Sequence, residues 1–485
     1  MKKELLAIFV ILTYSISTFS QNEIDALRYS QDYQLGSGKH AAMSGAFGAL
    51  GGEFSGLATN PAGIGMYQYN EFSLTPTFNL NTTSSYFGSK ETDFSSGLKI
   101  GNFGLVFSSL KKDSEWKRIN FAIGWIQQAN YNNNLRISGI NNNSSLADNI
   151  LDLAEGNTID NLDALSWGAF MTDLIDLSDY RIDTTTGLLQ GINNGNYKSN
   201  ISSNSPKLQT YNSYSIGGKN EFILSIGSSF KEKVYIGLTI GLPTINYYER
   251  SSYSEEEFRD TINGLERFDL QQDINVYGSG INLKFGTIIR LSETLKLGAA
   301  LHTPTAYSID ETFSSTISTH FSEEIYTDKS GPYFIEYNLI TPWKAIISAS
   351  SLVNKRILLS ADYEIIDYTF PKIYSNYYSF DNENTTIEEI YAKTANIRLG
   401  SEINIKPFAL RTGYSKYGSE FTSKNYSSES YSFGLGLNNK GYYFDIAYVL
   451  IQRNGETQLY SKENVNPTPL VNTNHNLIIT FGFRY

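Results

Sequence analysis

The sequence predicts an all-β fold: a transmembrane antiparallel β-barrel of about fourteen strands, with its N-terminal segment packed as a plug inside the lumen. Three observations lead there. An export-type N-terminus is followed by no apolar stretch as long as a membrane helix. Many segments alternate apolar and polar residues over more than a soluble strand's length. The connections between them alternate between short and long.

Residues 1–20 carry Lys2 and Lys3, the apolar run from Leu5 to Leu12, and a small-residue end from Ser15 to Ser20. That order is the order of a secretory signal peptide, with cleavage expected near Gln21. The chain has no cysteine. A disulfide framework, a thiolate metal site, a cysteine nucleophile and a lipoprotein anchor are therefore all excluded. Beyond the signal no window approaches the roughly 20 apolar residues of a spanning helix, which rules out a helical membrane protein. A net charge of −11, without a basic patch interleaved with aromatics, argues against a nucleic-acid partner. Only 18% of residues are charged while 14% are aromatic, the balance expected of a barrel with interfacial girdles and polar turns.

A lipid-facing strand must be apolar at every second residue, while its other face is free to carry charge. In the last segment Leu477, Ile479, Phe481, Phe483 and Tyr485 share one face with His475, and Asn476, Thr480, Gly482 and Arg484 share the other. The same alternation runs through Tyr442 to Leu450, Phe408 to Tyr414, Ile357 to Ile365 and Ile281 to Ile289. It gives strands at 70–88, 95–110, 116–131, 220–230, 233–252, 265–290, 295–320, 332–350, 355–373, 388–404, 407–420, 427–437, 441–460 and 472–485. Short turns fall at 111–115, 231–232, 291–294, 351–354, 405–406 and 438–440, and longer connections fall between them at 89–94, 132–219, 253–264, 321–331, 374–387, 421–426 and 461–471. This places both ends of the barrel (70–485) on the periplasmic side of an outer membrane. The C-terminal strand ending at Tyr485 is then the partner offered to the barrel assembly machinery, and outer-membrane lipid is the partner of the wall.

Residues 21–69 precede the wall. Gly and Ala crowd the stretch from Leu35 to Glu53, and Asn60-Pro61-Ala62-Gly63 stands just before the first strand. Such density permits close backbone approach and tight turns, as a compact plug requires. On these residues the chain resembles the FadL-type family of outer-membrane transporters for long-chain fatty acids and aromatic hydrocarbons; the likeness extends loosely to the rest of the chain, including Thr341-Pro342-Trp343. The resemblance implies a fourteen-strand barrel, a hatch carrying Asn60, Pro61, Ala62 and Gly63, and passive passage of a hydrophobic small molecule with lateral exit through a kinked third strand. It implies no cofactor. No sequence signal for the kink was found.

The insertion 132–219 holds two helical patterns, Leu146 to Leu153 and Ile159 to Leu177. In the second, Leu162, Leu165, Phe170 and Leu174 either form a hydrophobic capture surface or pack on neighbouring loops. The four histidines, His40, His302, His320 and His475, show no metal-ligand spacing. Asp362, Glu364, Arg398, Glu402, Arg411, Asp445 and Arg484 face inward, either as a polar ladder serving the plug or as the lining of a water-filled pore. The first reading gives a non-enzymatic transporter of hydrophobic compounds, the second a general or polar-solute porin. An outer-membrane lipid hydrolase is the weaker third, since no nucleophile motif supports it.

Overall fold

Inter-strand pairing is the one way an extended chain can satisfy its backbone in hydrocarbon, and a closed sheet leaves no edge to expose. The computed structural model closes in this manner. It describes residues 23–33, 35–111, 113–155, 172–174, 180–182, 189–191, 197–199, 201, 205–258, 264–460 and 465–485. The expected signal peptide, residues 1–20, lies outside them. No helix among the described residues is long and apolar enough to cross a membrane.

Eighteen hydrogen-bonded segments make one antiparallel sheet of fourteen staves, because three staves are each broken in two and one three-residue segment adds to the rim. The staves are β1 (Glu71–Phe87), β2 (Ser89–Leu110), β3 (Trp116–Asn130 and Asn133–Asn141), β4 (Lys207–Phe230), β5 (Val234–Glu256) and β6 (Leu265–Arg290). They continue as β7 (Leu295–His302 and Ala306–Phe321), β8 (Ile325–Ile340 and Lys344–Val353), β9 (Ile357–Asp367), β10 (Lys393–Ile405), β11 (Phe408–Tyr417), β12 (Ser428–Asn438), β13 (Tyr442–Thr457) and β14 (Thr468–Arg484). β1 pairs with β14 from Glu71↔Arg484 to Ser85↔Leu470, closing the barrel. The first and last strands meet on the side of the short turns, where the Tyr485 amide donates to the Asn70 carbonyl at 3.1 Å.

The wall is apolar outside and polar inside where the alternation predicts it. Leu399 and Phe433 are 45% and 61% exposed, whereas Asp445 is 1% exposed. Staves β9 to β12 are 10–13 residues long, close to the roughly 9–11 that a bilayer demands. Others run far past it on the loop side, up to the 26 residues of β6. In these extensions the alternation inverts. Along β5 the outward Ile236, Ile240 and Leu242 give way to Asn246 and Arg250, while the inward side becomes Ile245, Tyr247 and Tyr253. β6 does the same, with inward Val276, Leu270 and Phe268. Once out of lipid, the sheet must bury its apolar face against protein rather than show it.

Several boundaries differ from the sequence reading: β8 starts at Ile325 rather than 332 and β9 ends at Asp367 rather than 373, and three more have a plain physical reason, two of them through this inversion. Residues 89–94 are not a loop: β1 turns into β2 at Gly88, whose φ of 70° suits glycine, and Phe87 pairs with Ser89. Both ends of the insertion 132–219 are strand, since Asn133–Asn141 pairs with β4 from Ser215 back to Lys207. In each case polar outward residues above the bilayer imitate a loop. Third, β10 starts at Lys393 rather than 388; before it, α4 (Asp381–Ile390) opens with Asp381 and Glu383 in its first turn, where the helix dipole favours acids. Three further helices are α1 (Glu23–Ser30), α2 (Gly38–Ala42) and α3 (Leu146–Glu155).

Replacing the outward Leu399 by arginine is expected to lower the stability of the bilayer-inserted barrel by roughly 2–4 kcal/mol, the cost of a cation on the lipid face. Glu336→Arg, outward but beyond the inversion, should stay within about 0.5 kcal/mol. Urea unfolding in phospholipid vesicles measures both, and equal effects would reject this placement of the bilayer.

Candidate functional site

The N-terminal segment lies inside the barrel, and its lower part is built of helical turns capped by its own side chains. Ser37 caps α2 by accepting from the His40 amide. The Glu53 carboxylate accepts from the Ser37 hydroxyl at 2.6 Å and from the Ser55 and Gly56 amides at 3.0 and 2.7 Å. Pro61–Met66 forms a 3₁₀ turn with proline at its start, the position where a missing N–H costs nothing. Asn60 caps it, accepting from the Ala62 amide at 3.0 Å, while its own amide donates to the carbonyls of Gly48 (2.6 Å) and Thr287 of the wall (3.2 Å). Gly63 meets Gly51 so closely that a Cβ would stand 3.0 Å from the other's Cα. Asn60, Pro61, Ala62 and Gly63 thus form one unit bound to staves β5 and β6, where Gly237 and Gly286 leave no room for a side chain against Pro61 and Asn60.

The wall supplies partners for this segment's backbone, which buried peptide groups require. Asp362 accepts from the Gly48 amide at 3.0 Å, Thr480 from that of Gly38 at 2.8 Å, and Asn120 donates to the Ile64 carbonyl at 2.7 Å. Of the inward charges singled out from sequence, Asp362 alone of the seven binds segment backbone here. Glu364 pairs with Arg398 at 2.9 Å, Arg411 bridges Glu402 and Asp445 at 2.6 and 2.5 Å, and Arg484 holds Glu71 at 3.0 Å.

Above this unit Asp32 ties the segment to two separate staves of the wall. Its carboxylate bonds Lys219 of β4 at 2.6 Å and Lys344 of β8, and the Lys219 ammonium also donates to the carbonyls of Tyr29 and Gln31 at 2.8 and 2.7 Å. Burial alone would push the Asp32 carboxyl up, but the two ammonium groups override it and hold it far below the usual carboxylate range. Beside this bolt is a cavity of about 70 Å³ lined by Asp32, His40, Lys219, Glu221 and His302 among others. For comparison, a void of roughly 150 Å³ admits benzene. This cavity is too small for a solute of that size.

The upper lumen is apolar. Tyr247, Val276, Tyr307, Ile309, Tyr337 and Leu339 of the inverted staves enclose Ala26, Leu27 and Tyr29 of α1, and Phe380 with Ile387 of α4 covers the cluster. Tyr131 packs against the same cluster and stands at the break in β3. Past that break, Asn133–Asn141 pairs only with β4, and Ser89–Gly101 of β2 pairs only with β1. The ladder between β2 and β3 therefore stops at Asn102↔Ile126. Side chains replace it: Lys99 donates to Asn130 Oδ1, Asn132 Oδ1 and the Gly217 carbonyl at 2.5, 3.0 and 2.5 Å, and Asn134 to the Phe94 carbonyl at 2.9 Å. The break is stitched to the N-terminal segment through the Tyr33 amide, which donates to the Gln128 carbonyl at 2.9 Å, and the Tyr131 hydroxyl, which donates to the Arg28 carbonyl at 3.4 Å. In the sequence the break is marked by the run Asn132-Asn133-Asn134 after Tyr131, at the start of the expected insertion.

Of the expected capture residues, Leu162, Leu165 and Phe170 lie outside the described residues. Leu174 is described, and it is in a strand: Thr172–Leu174 pairs with Tyr197–Ser199. The helical expectation fails there because the step of five from Leu165 to Phe170 leaves the 3.6-residue period. The first helical pattern is a helix, Leu146–Glu155, packed through Leu146, Ala147 and Ile150 on Tyr253, Phe268 and Tyr460. Each histidine has its own partner: His40 bonds the Leu35 carbonyl, His302 the Thr59 carbonyl, His320 Asp269, and His475 Tyr448, although His40 and His302 line the same cavity.

No family model matches the chain, and no curated protein sequence matches it. Solved structures do. The CymD monoaromatic hydrocarbon channel aligns over 94% of this chain and 99% of its own, with 10% identity and a TM-score of 0.52. The toluene transporter TodX of P. putida aligns over 93% and 99%, with 11% identity and a TM-score of 0.52. A FadL homologue of Pseudomonas aeruginosa aligns over 93% and 98%, with 9% identity and a TM-score of 0.52. The chain has the fold of these FadL-type barrels.

Asp32→Asn leaves two buried ammonium groups without their carboxylate and is expected to weaken docking of the N-terminal segment by roughly 3 kcal/mol, the low end for a broken buried pair, since Asp32 is itself one-third exposed. A carboxyl whose folded value is depressed stabilises above the unfolded value, about 3.9, and loses that contribution only as pH falls through the folded value. The wild-type segment should therefore stay docked from neutral pH down to about pH 4, while the variant is loosened throughout. Amide hydrogen exchange at Tyr29 to Tyr33 reports this.

Proposed function

We propose that this protein is a passive transporter of hydrophobic small molecules in the Gram-negative outer membrane, with residues 21–69 as its hatch and the long loops outside the cell. The observation that carries the reading is the division of the lumen. A lower half packed by the N-terminal segment is surmounted by an apolar upper half, and the broken stave β3 borders the apolar half at Tyr131. A hydrophobic molecule gains by entering the upper half and meets a wall without a backbone ladder; a sugar gains nothing there and finds the way below shut.

The structural neighbours include a monoaromatic hydrocarbon channel and a toluene transporter, which supports the same substrate class. In this reading the segment from Arg28 to Tyr33 couples the two ends of the path. It fills the apolar half through Tyr29, is bolted at Asp32, and holds the break through Gln128 and Tyr131. Release of the segment frees the chamber and the break together. Leu162, Leu165, Phe170 and Leu174 of the insertion are proposed to gather substrate at the mouth. The C-terminal strand, which closes the sheet on β1, is proposed as the element that the barrel assembly machinery reads.

Proteoliposomes test the function: the purified protein should pass toluene or a long-chain fatty acid and hold back small sugars. Free sugar flux without hydrophobe flux would instead establish a porin. The chain's lack of cysteine makes a second test clean. Ser95 donates to the Asn132 carbonyl at 3.3 Å across the break, so cysteines at 95 and 132 joined by a short bis-maleimide should cut hydrophobe uptake at least roughly tenfold, a barrier rise of about 1.4 kcal/mol. Unchanged uptake would remove the break from the path. Asn60→Ala, which deletes the cap and the side chain's three carbonyl contacts, should alter uptake while the barrel keeps its heat-resistant gel mobility.

A further inference from the structure

The lipid-facing wall is not uniform. Across staves β3 to β9 its lower half is indented into an apolar groove of about 1100 Å³, walled by Ile226, Ile236, Phe285 and Ile347 and floored at Ala299. At the turn-side end it is lined by Trp116 and Lys111. Trp116 is 41% exposed and packs on Phe230 with ring centroids 5.3 Å apart, the posture of an interfacial tryptophan.

The turns above that end follow one another around the rim, because β3 pairs with β4 at Trp116↔Phe230 and β5 with β6 at Val234↔Ile289. They carry Lys111, Lys117, Lys231 and Lys233, while Arg290 turns inward and donates to the Tyr235 hydroxyl at 3.0 Å. Glu115 pairs with Lys231 at 2.7 Å, and Asp113, Glu232 and Glu293 oppose the rest in part. The groove's own lining holds one cation, Lys111, and no carboxylate, in a chain whose total charge is −11.

We propose that this groove holds one anionic phospholipid of the turn-side leaflet, its acyl chains along Ile236, Phe285 and Ala299 and its phosphate at Lys111 and Lys233. A volume of about 1100 Å³ suits a pair of chains, and cations clustered at one end of an apolar trough complement a lipid's charge and shape together. The wall beneath the groove is one backbone thick. Thr287 lines it outside, while the carbonyl of the same residue accepts from Asn60 inside, and Gly286 leaves no side chain between them. A bound lipid therefore braces the patch of wall against which Asn60-Pro61-Ala62 rests.

This inference rests on the bilayer-embedded reading above, and its test separates the two. In a variant keeping Trp116 as sole tryptophan (Trp125→Phe, Trp167→Phe, Trp343→Phe), fluorescence is read in phosphatidylcholine vesicles containing dibromo-acyl lipid. Dibromo-phosphatidylglycerol should quench Trp116 like a roughly fivefold higher mole fraction of the dibromo-phosphatidylcholine, the preference expected of about one effective basic contact. Lys111→Gln with Lys233→Gln should erase that preference. Ala299→Phe, filling the groove, should weaken quenching by both lipids, with gel mobility confirming the fold of each variant. Quenching by both lipids in proportion to mole fraction would overturn the site, as would loss of the preference in millimolar inorganic phosphate, which marks a free-ion site. Hydrophobe flux persisting alongside either result sinks the lipid site alone, whereas no quenching by either lipid sinks the bilayer reading and the site with it.

Discussion

Every feature of this barrel answers to one constraint: a peptide group at membrane depth must find a partner within the protein. Closure of β1 on β14 meets it for the wall as a whole. Where the ladder stops, at the break in β3, a lysine and several asparagines take its place. The N-terminal segment has little regular structure of its own, so its amides and carbonyls are met by the wall, from Thr480 around to Asp362 and Asn120. The polar inward face is thus as much a requirement of the buried segment as of solvent.

The same accounting explains what the sequence revealed and what it concealed. The C-terminal half was legible because lipid enforces strict alternation there, and Leu399, Phe433 and Asp445 stand where the pattern puts them. The segment around Asn60 was legible because capping and glycine chemistry are local. What was hidden sits above the membrane. The polar residues of 89–93 and 133–141 read as loop, although they are strand with its polarity reversed. Nor does any local pattern announce that Asp32 meets lysines at 219 and 344, or that Asp362 serves Gly48, because those partners are joined only by the closed topology.

Glycine has two different duties in the molecule. At Gly88 it allows a backbone turn with positive φ. At Gly237 and Gly286 its conformation is ordinary strand, and it is needed for what it lacks, since a Cβ would lie 2.2 and 1.9 Å from atoms of Pro61 and Asn60. Substitution at the first kind of site strains the chain, and at the second it pushes the segment off the wall.

The bonds of the N-terminal segment span unusual distances along the chain: 312 residues from Asp32 to Lys344, 314 from Gly48 to Asp362, and 388 from Ser44 to Ser432. The part of the protein made first can acquire its partners only when the part made last is in place. Growth of the polypeptide and growth of the structure thus run in opposite orders, and closing the loop between such remote positions is slow. While the sheet is still open, the glycine-rich segment has no competing home of its own. Its poverty of intrinsic structure keeps it available until the final stave arrives to enclose it.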